Sequence, residues 1–224
     1  MKALAVDSAT SCMTIAAKNG TSVVTLSLDV GMKQSQKILP AINYVLEQVE
    51  IKPSELDYMA LCTGPGTFTG LRLSYAALKA LELSCKVPLY GVPTLDVYSY
   101  PYRNLNKTVI SVIDAKKDQF FAAIYKNGIK TVEEKDTTAE EIASILNEKE
   151  EILLCGTDAK IFAELLAEKN KNLCINTLDV QTINTNSLFE MTEKMIEEGL
   201  QPLQDYDGPL YLRKSEAELA LDKR

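Results

Sequence analysis

Apolar and polar positions along the chain change period several times, and each change marks an element. Lys2-Ala3-Leu4-Ala5-Val6-Asp7 is a short apolar run closed by a carboxylate, the pattern of a buried strand. Ser8-Ala9-Thr10-Ser11 reads as a turn, Cys12 to Ala17 as a second strand, and Lys18-Asn19-Gly20 as a hairpin signal. Thr21 to Leu28 is rich in β-branched residues and gives a third strand, so the N-terminus predicts an antiparallel meander. Over 35–49, Ile38, Leu39, Ile42, Val45, Leu46 and Val49 keep the spacing of one helix face. Pro40 is expected to kink that helix or delay its start. Asp57 to Cys62 predicts a fourth strand. A second helix over about 69–85 carries Leu71, Leu73, Ala76, Ala77, Leu78, Ala80, Leu81 and Leu83, with Arg72, Tyr75, Lys79 and Glu82 as its polar stripe. A helix so apolar is buried on more than one side, deep in a core or beneath another chain.

Val87 to Val92 is a fifth strand, a helix runs from Pro93-Thr94 to about Tyr100, and residues 100–107 read as a hinge. This alternation is that of an α/β unit. The same logic restarts at Thr108: a strand to Asp114, the turn Ala115-Lys116-Lys117-Asp118, and a return strand from Gln119 to Tyr125 closed by Asn127-Gly128. Strand, Asp, turn and strand thus occur twice, a repeat of architecture without repeat of sequence. Thr138 with Glu141 forms a capping box for a helix to about Glu148. A strand at Glu151–Cys155, a helix capped by Thr157 or Asp158, a short strand at Leu173–Ile175 and a helix opened by Ser187 with Glu190 complete the pattern. The expected division is one lobe over 1–104, a second over 105–208, and a tail over 209–224 apolar and aromatic enough to dock.

The strongest punctuation is Gly64-Pro65-Gly66-Thr67-Phe68-Thr69-Gly70-Leu71-Arg72. Its glycines permit a sharp strand-to-helix turn, and Thr67 or Thr69 is placed to cap the helix that follows. The spacing misses G-x-G-x-x-G by one residue, and no Lys-Ser/Thr follows to make a Walker A loop. Two readings stay open, a structural turn or an anion-binding helix N-terminus. Asp7 and Asp114 pose a parallel choice. In actin-like ATPases such units place a phosphate-facing hairpin in each domain, with the Asp orienting metal-bound water. Alternatively each Asp caps its own turn. Neither turn has the glycine that close phosphate approach requires, which favours capping.

Composition narrows the chemistry. The absence of histidine removes Ser-His-Asp, Cys-His and H-E-x-x-H sites together. Cys12, Cys62, Cys85, Cys155 and Cys174 form no C-x-x-C pair and read as buried free thiols. The net charge of −7 disfavours direct contact with nucleic acid. No apolar run reaches the length of about 18 residues that a membrane span needs. The first strand meets a carboxylate too early for a signal peptide, so a cytoplasmic location is expected.

Asp7-Ser8-Ala9-Thr10, Leu39-Pro40, the Gly64–Arg72 segment, Gly91-Val92-Pro93-Thr94-Leu95, Asp114-Ala115 and Tyr211-Leu212-Arg213 follow in this order over nearly the whole chain. Together they resemble the bacterial TsaB (YeaZ) family. The resemblance implies an α/β, actin-like (ASKHA, ribonuclease H-like) fold of two lobes with mixed sheets. It implies a role in making threonylcarbamoyladenosine in tRNA, as a non-catalytic subunit with no cofactor or metal of its own. Such a subunit binds and activates its paralogue TsaD, is joined by TsaE, and meets tRNA only through the complex. On this resemblance the two long helices form the partner face, with Ile38, Ile42, Leu71, Leu73, Ala76, Ala77, Ala80 and Leu81 as contacts. Gly64, Gly66, Thr67, Thr69, Gly70 and Arg72 become a structural turn, and Asp7, Ser8, Thr10 and Asp114 vestigial phosphate loops. A homodimer through the same helices is compatible with this reading. Members often carry a His and an acidic residue before the first helix, where this chain has Gly31-Met32-Lys33-Gln34-Ser35-Gln36-Lys37. The alternative is a degenerate ATPase or small-molecule kinase of the same fold. A peptidase would need a Ser-Lys or Asp-Asp mechanism, for which no motif stands out.

Overall fold

The apolar runs assemble two five-stranded sheets on one plan. The computed structural model describes residues 1–147, 150–178 and 180–213, and of Met32 the backbone. The first sheet contains β1 (Lys2–Asp7), β2 (Cys12–Asn19), β3 (Ser22–Asp29), β4 (Tyr58–Cys62) and β5 (Leu89–Val92), in the order β3-β2-β1-β4-β5. The first three strands are antiparallel neighbours, and β4 and β5 run parallel to β1. The second sheet contains β6 (Thr108–Lys116), β7 (Gln119–Lys126), β8 (Ile129–Thr137), β9 (Glu151–Cys155) and β10 (Cys174–Thr177), in the order β10-β9-β6-β7-β8 with the same senses. The repeat of strand, Asp, turn and strand therefore extends to whole sheets. Sequence reading missed β8, because Glu133, Glu134, Lys135 and Asp136 interrupt any apolar pattern there. As an edge strand it pairs only with β7 and needs no continuous apolar face.

Helices cover the sheets in three layers. α1 (Gln34–Gln48) and α2 (Phe68–Cys85) pack on the outer face of the first sheet, and α4 (Ala139–Ile145) and α5 (Ala159–Lys169) on that of the second. α3 (Thr94–Ser99) and α6 (Thr185–Glu197) lie between the sheets, in an apolar cluster that draws residues from both. Alternation along β1 divides these layers. Leu4 and Val6 face the α1–α2 layer, whereas Ala3 and Ala5 face the central one. These alanines, with Ala16 and Ala60, leave room for Tyr58, Tyr98 and Phe189. α6 packs on β1, β2, β4 and β5, so residues 185–197 lie on the first sheet although they fall in the 105–208 span. Lys18 pairs with Glu193 at 2.7 Å, and the Tyr58 hydroxyl donates to the same carboxylate at 3.1 Å.

Several local expectations change. α1 starts before Pro40 and continues through it. The proline is exposed, and so is Gln36, whose carbonyl loses its helical partner. α6 opens one turn earlier than Ser187, capped by the Asn184 side chain, which accepts from the Asn186 N–H at 3.0 Å. Thr138 does cap α4, but the Glu141 carboxylate takes the Thr137 hydroxyl at 2.6 Å instead of closing the box, and α4 ends at Ile145. Only Cys62 and Cys155 are buried; Cys12 and Cys85 are half-buried and Cys174 is exposed. Among the described residues no helix is long and apolar enough to cross a membrane.

Phe189 is 2% exposed in the layer shared by both sheets. Phe189→Ala is expected to lower stability by about 3–5 kcal/mol, read as a lower urea midpoint with one cooperative transition.

Candidate functional site

The turn between β4 and α2 meets the turn between β1 and β2 backbone to backbone. The Thr67 N–H donates to the Ala9 carbonyl at 2.6 Å, and the Ser8 hydroxyl to the Gly70 carbonyl at 2.7 Å. A Cβ at Gly66 would fall 2.4 Å from the Ala9 oxygen, and one at Gly70 2.0 Å from the Ser8 oxygen. These glycines are therefore consumed by contact within the protein. Gly64 has φ +112°, and its N–H donates to the Thr94 hydroxyl at 3.1 Å, which ties the turn to α3. Thr67 stands at the N-cap of α2, but its hydroxyl makes no cap bond, contrary to expectation. Thr69 and Arg72 are exposed.

The two aspartate turns share one geometry. Asp7 Oδ1 accepts the Ala9 N–H at 2.9 Å, and Asp114 Oδ1 accepts the Lys116 N–H at 2.7 Å. Each is a self-capped turn. Their surroundings differ. Asp7 is 1% exposed, and its Oδ2 has no hydrogen-bond partner among the described residues. Burial pushes this carboxyl up to about 6, opposed only in part by the Ala9 N–H and the Cys62 thiol, a weak donor. The partly exposed Asp114 also pays for desolvation, but hydrogen bonds from Lys116 outweigh this and hold it below the ordinary value. Lys116 Nζ lies 2.5 Å from Asp114 Oδ2.

Between the lobes lies a cleft of about 680 Å³, walled by Thr10, Thr67 and Thr69 on one side and Asp114, Lys116 and Asp158 on the other. Two wall-shaping residues escaped sequence reading. The buried Gln34 donates to the carbonyls of Thr10 and Ser11 at 3.0 and 2.9 Å; a polar residue at a helix start gives no signal of this. Asp158 was expected as a cap for α5, but its Oδ2 accepts the Asp114 N–H at 2.8 Å and the Thr157 hydroxyl at 2.7 Å. The magnesium nucleotide implied by an actin-like ATPase fold does not fit this wall. Asp7 lies buried off the cleft, Asp114 is spent on Lys116, and the glycines are spent on Ser8 and Ala9.

The expected partner residues separate into two groups. Ile38, Ile42, Leu71 and Ala77 are buried, and all but Leu71 belong to the apolar layer between the helices and the first sheet. Leu73 and Leu81 are half-buried, and Ala76 and Ala80 are exposed. Periodicity selected the inward face of α1 because the core also requires that face to be apolar. The exposed apolar residues of these helices include Leu39 at 57% and Leu83 at 83%.

A family model described as TsaD: tRNA N6-adenosine threonylcarbamoyltransferase matches residues 30–221. The tRNA threonylcarbamoyladenosine biosynthesis protein TsaB of Buchnera aphidicola (from Acyrthosiphon pisum) is 32% identical over 67% of this chain and 69% of its own length. The chain belongs to the TsaB family. The Escherichia coli TsaB protein is 26% identical over 97% of this chain and 96% of its own. Among solved structures, YeaZ from Pseudomonas aeruginosa superposes with a TM-score of 0.78 at 20% identity, covering 94% of this chain and 99% of that one. A Bacteroides thetaiotaomicron protein with an actin-like ATPase fold gives 0.50 at 10% identity over 84% and 95%. The actin-like fold expected for the TsaB family is thus the fold of this chain.

Gly70→Ala drives a Cβ into the Ser8 carbonyl and is expected to cost about 2–4 kcal/mol in thermal or urea unfolding. Asp7 gives a prediction in pH. Its native value near 6 exceeds the reference of 3.8, so the native state takes up a proton between these values. The Asp7 contribution to stability therefore falls as pH rises through that window, by up to about 3 kcal/mol. Asp7→Asn should match the parent at about pH 3, below both values, and melt higher at about pH 7.5. A difference in melting temperature that does not vary with pH would contradict this.

Proposed function

We propose that this protein is a non-catalytic subunit in the biosynthesis of threonylcarbamoyladenosine in tRNA, acting by docking onto the transferase TsaD through the outer face of α1 and α2. One observation carries the docking surface. Leu73, Ala76, Ala80 and Leu83 follow the i, i+3, i+4 rule along α2 and remain half-buried or exposed while the core behind them is complete. Alanines at 76 and 80 allow a second helix to approach closely, and Leu83 and Leu39 supply apolar area to bury. The non-catalytic reading is supported by how the turns are spent. Their aspartates cap themselves and their glycines pack on the neighbouring turn. The acidic chain fits contact with tRNA through the complex, with TsaE as its further member.

The test separates face from core. Leu83→Glu and Ala80→Glu are expected to weaken calorimetric binding to TsaD of the same organism by about tenfold or more, with melting temperature unchanged. Ala77→Glu, at a position 9% exposed, should instead lower the melting temperature. The reading also expects threonylcarbamoyl transfer to tRNA to require both proteins. Absence of a saturable complex at about 50 µM, or full binding by Leu83→Glu and Ala80→Glu, would overturn it.

A further inference from the structure

The polar stripe of α2 is engaged within the chain. Three of its members hold the segment that follows α6. Lys79 Nζ donates to the carbonyls of Leu203 and Gln204 at 3.1 and 2.9 Å, the Tyr75 hydroxyl to the Gly208 carbonyl at 2.9 Å, and Arg72 Nε to the Tyr211 hydroxyl at 3.0 Å. Glu82 pairs with Lys79 at 2.8 Å and fixes that ammonium. The segment's own backbone is bound as well. The Leu203 N–H donates to Leu89 on the open edge of β5, and the Leu210 N–H to Thr63 just beyond β4, at 2.7 and 2.8 Å. Tyr211 stacks on Phe68 at 4.9 Å, and the Arg72 guanidinium lies 3.8 Å from the Phe68 ring centre.

Two residues later the chain is anchored on the other lobe. Arg213 forms a two-pronged pair with Asp136 of β8 at 2.7 and 2.9 Å, and donates to the Ala115 carbonyl at 2.7 Å and to Gln119 Oε1 at 2.5 Å. Ala115 and Gln119 flank the β6–β7 turn, whose Lys116, Lys117 and Asp118 all have φ near +60°. Left-handed backbone at three successive non-glycine residues persists only where surroundings hold it. Arg213 is one such hold. Between the strap and the two turns lies a pocket of about 220 Å³, which shares Thr67, Asp114 and Lys116 with the interlobe cleft. The central apolar layer draws residues from both lobes, and this segment bonds to both of them beside the cleft.

We propose that residues 208–213 are an interlobe strap that sets the width of the cleft, with the Tyr211–Phe68–Arg72 stack as its anchor on the first lobe and Arg213 as its latch on the β6–β7 hairpin of the second. Opening the cleft requires one end to release. Because the anchor is built on α2, the conformation of the second lobe is coupled to that helix. This coupling does not depend on what docks there.

Hydrogen exchange on the full chain, read by mass spectrometry, tests the strap. Arg213→Ala should speed exchange about tenfold or more across residues 114–121 and also in the 64–72 turn, with β1 and β4 unchanged. Arg213→Lys keeps the charge, loses the fork, and should give an intermediate increase. The decisive variant is Tyr211→Ala. It removes the Phe68 stack and the Arg72 hydrogen bond, both on the first lobe, yet should accelerate the 114–121 hairpin in the other lobe. A hairpin that stays protected in Tyr211→Ala would overturn the strap, as would uniform acceleration including β1 and β4 in Arg213→Ala, which signals plain destabilisation.

Discussion

Two backbones come into direct contact where Gly66 and Gly70 press on Ala9 and Ser8. No side chain fits between them, and the separation is fixed by hydrogen bonds from Thr67 to Ala9 and from Ser8 to Gly70. That contact sets where α2 leaves the first sheet. It thereby sets which residues of α2 face the sheet, which polar residues meet the C-terminal strap, and which apolar residues face outward. A one-atom enlargement at Gly70 would move all three faces together. The glycine-rich segment looks like a ligand loop in sequence because ligand loops and close-packed turns make the same demand on backbone space.

The two lobes show how one architecture holds two electrostatic states. Both sheets carry, at or near the end of their first strand, an aspartate that accepts the N–H two residues on. In the first lobe this carboxylate is sealed among Ala9, Cys62 and neighbouring apolar groups, and desolvation raises it toward neutrality. In the second lobe it is open to Lys116 and stays charged. A magnesium-nucleotide cleft needs the reverse at Asp7, an exposed charged oxygen able to face metal-bound water. Burial of Asp7 accounts for how the actin-like frame is kept while its nucleotide chemistry does not fit.

α2 divides its circumference by chemistry. Leu71 and Leu78 fill the core, Arg72, Tyr75 and Lys79 grip the strap, and Ala76, Ala80 and Leu83 meet solvent. Part of its polar stripe is thus spent on intramolecular bonds, while some of its apolar residues are displayed to solvent.

Much of the fold was legible in the chain. Apolar runs located nine of the ten strands among the described residues, because buried strands need continuous or alternating apolar residues, and the duplicated strand–Asp–turn–strand unit announced two related lobes. The order of motifs carried the family. What sequence could not decide were questions of partnership in space. Charged β8 is a strand only because β7 offers it an edge. Ile38, Ile42, Leu71 and Ala77 have the composition of an interface and the location of a core, since local periodicity gives a face its character without saying what lies against it. Arg72, Tyr75 and Lys79 read only as a polar stripe until the chain returns from more than 120 residues away to bind them. Local pattern is written by neighbours in sequence, whereas burial, pairing and the spending of each glycine and aspartate are settled by neighbours in space.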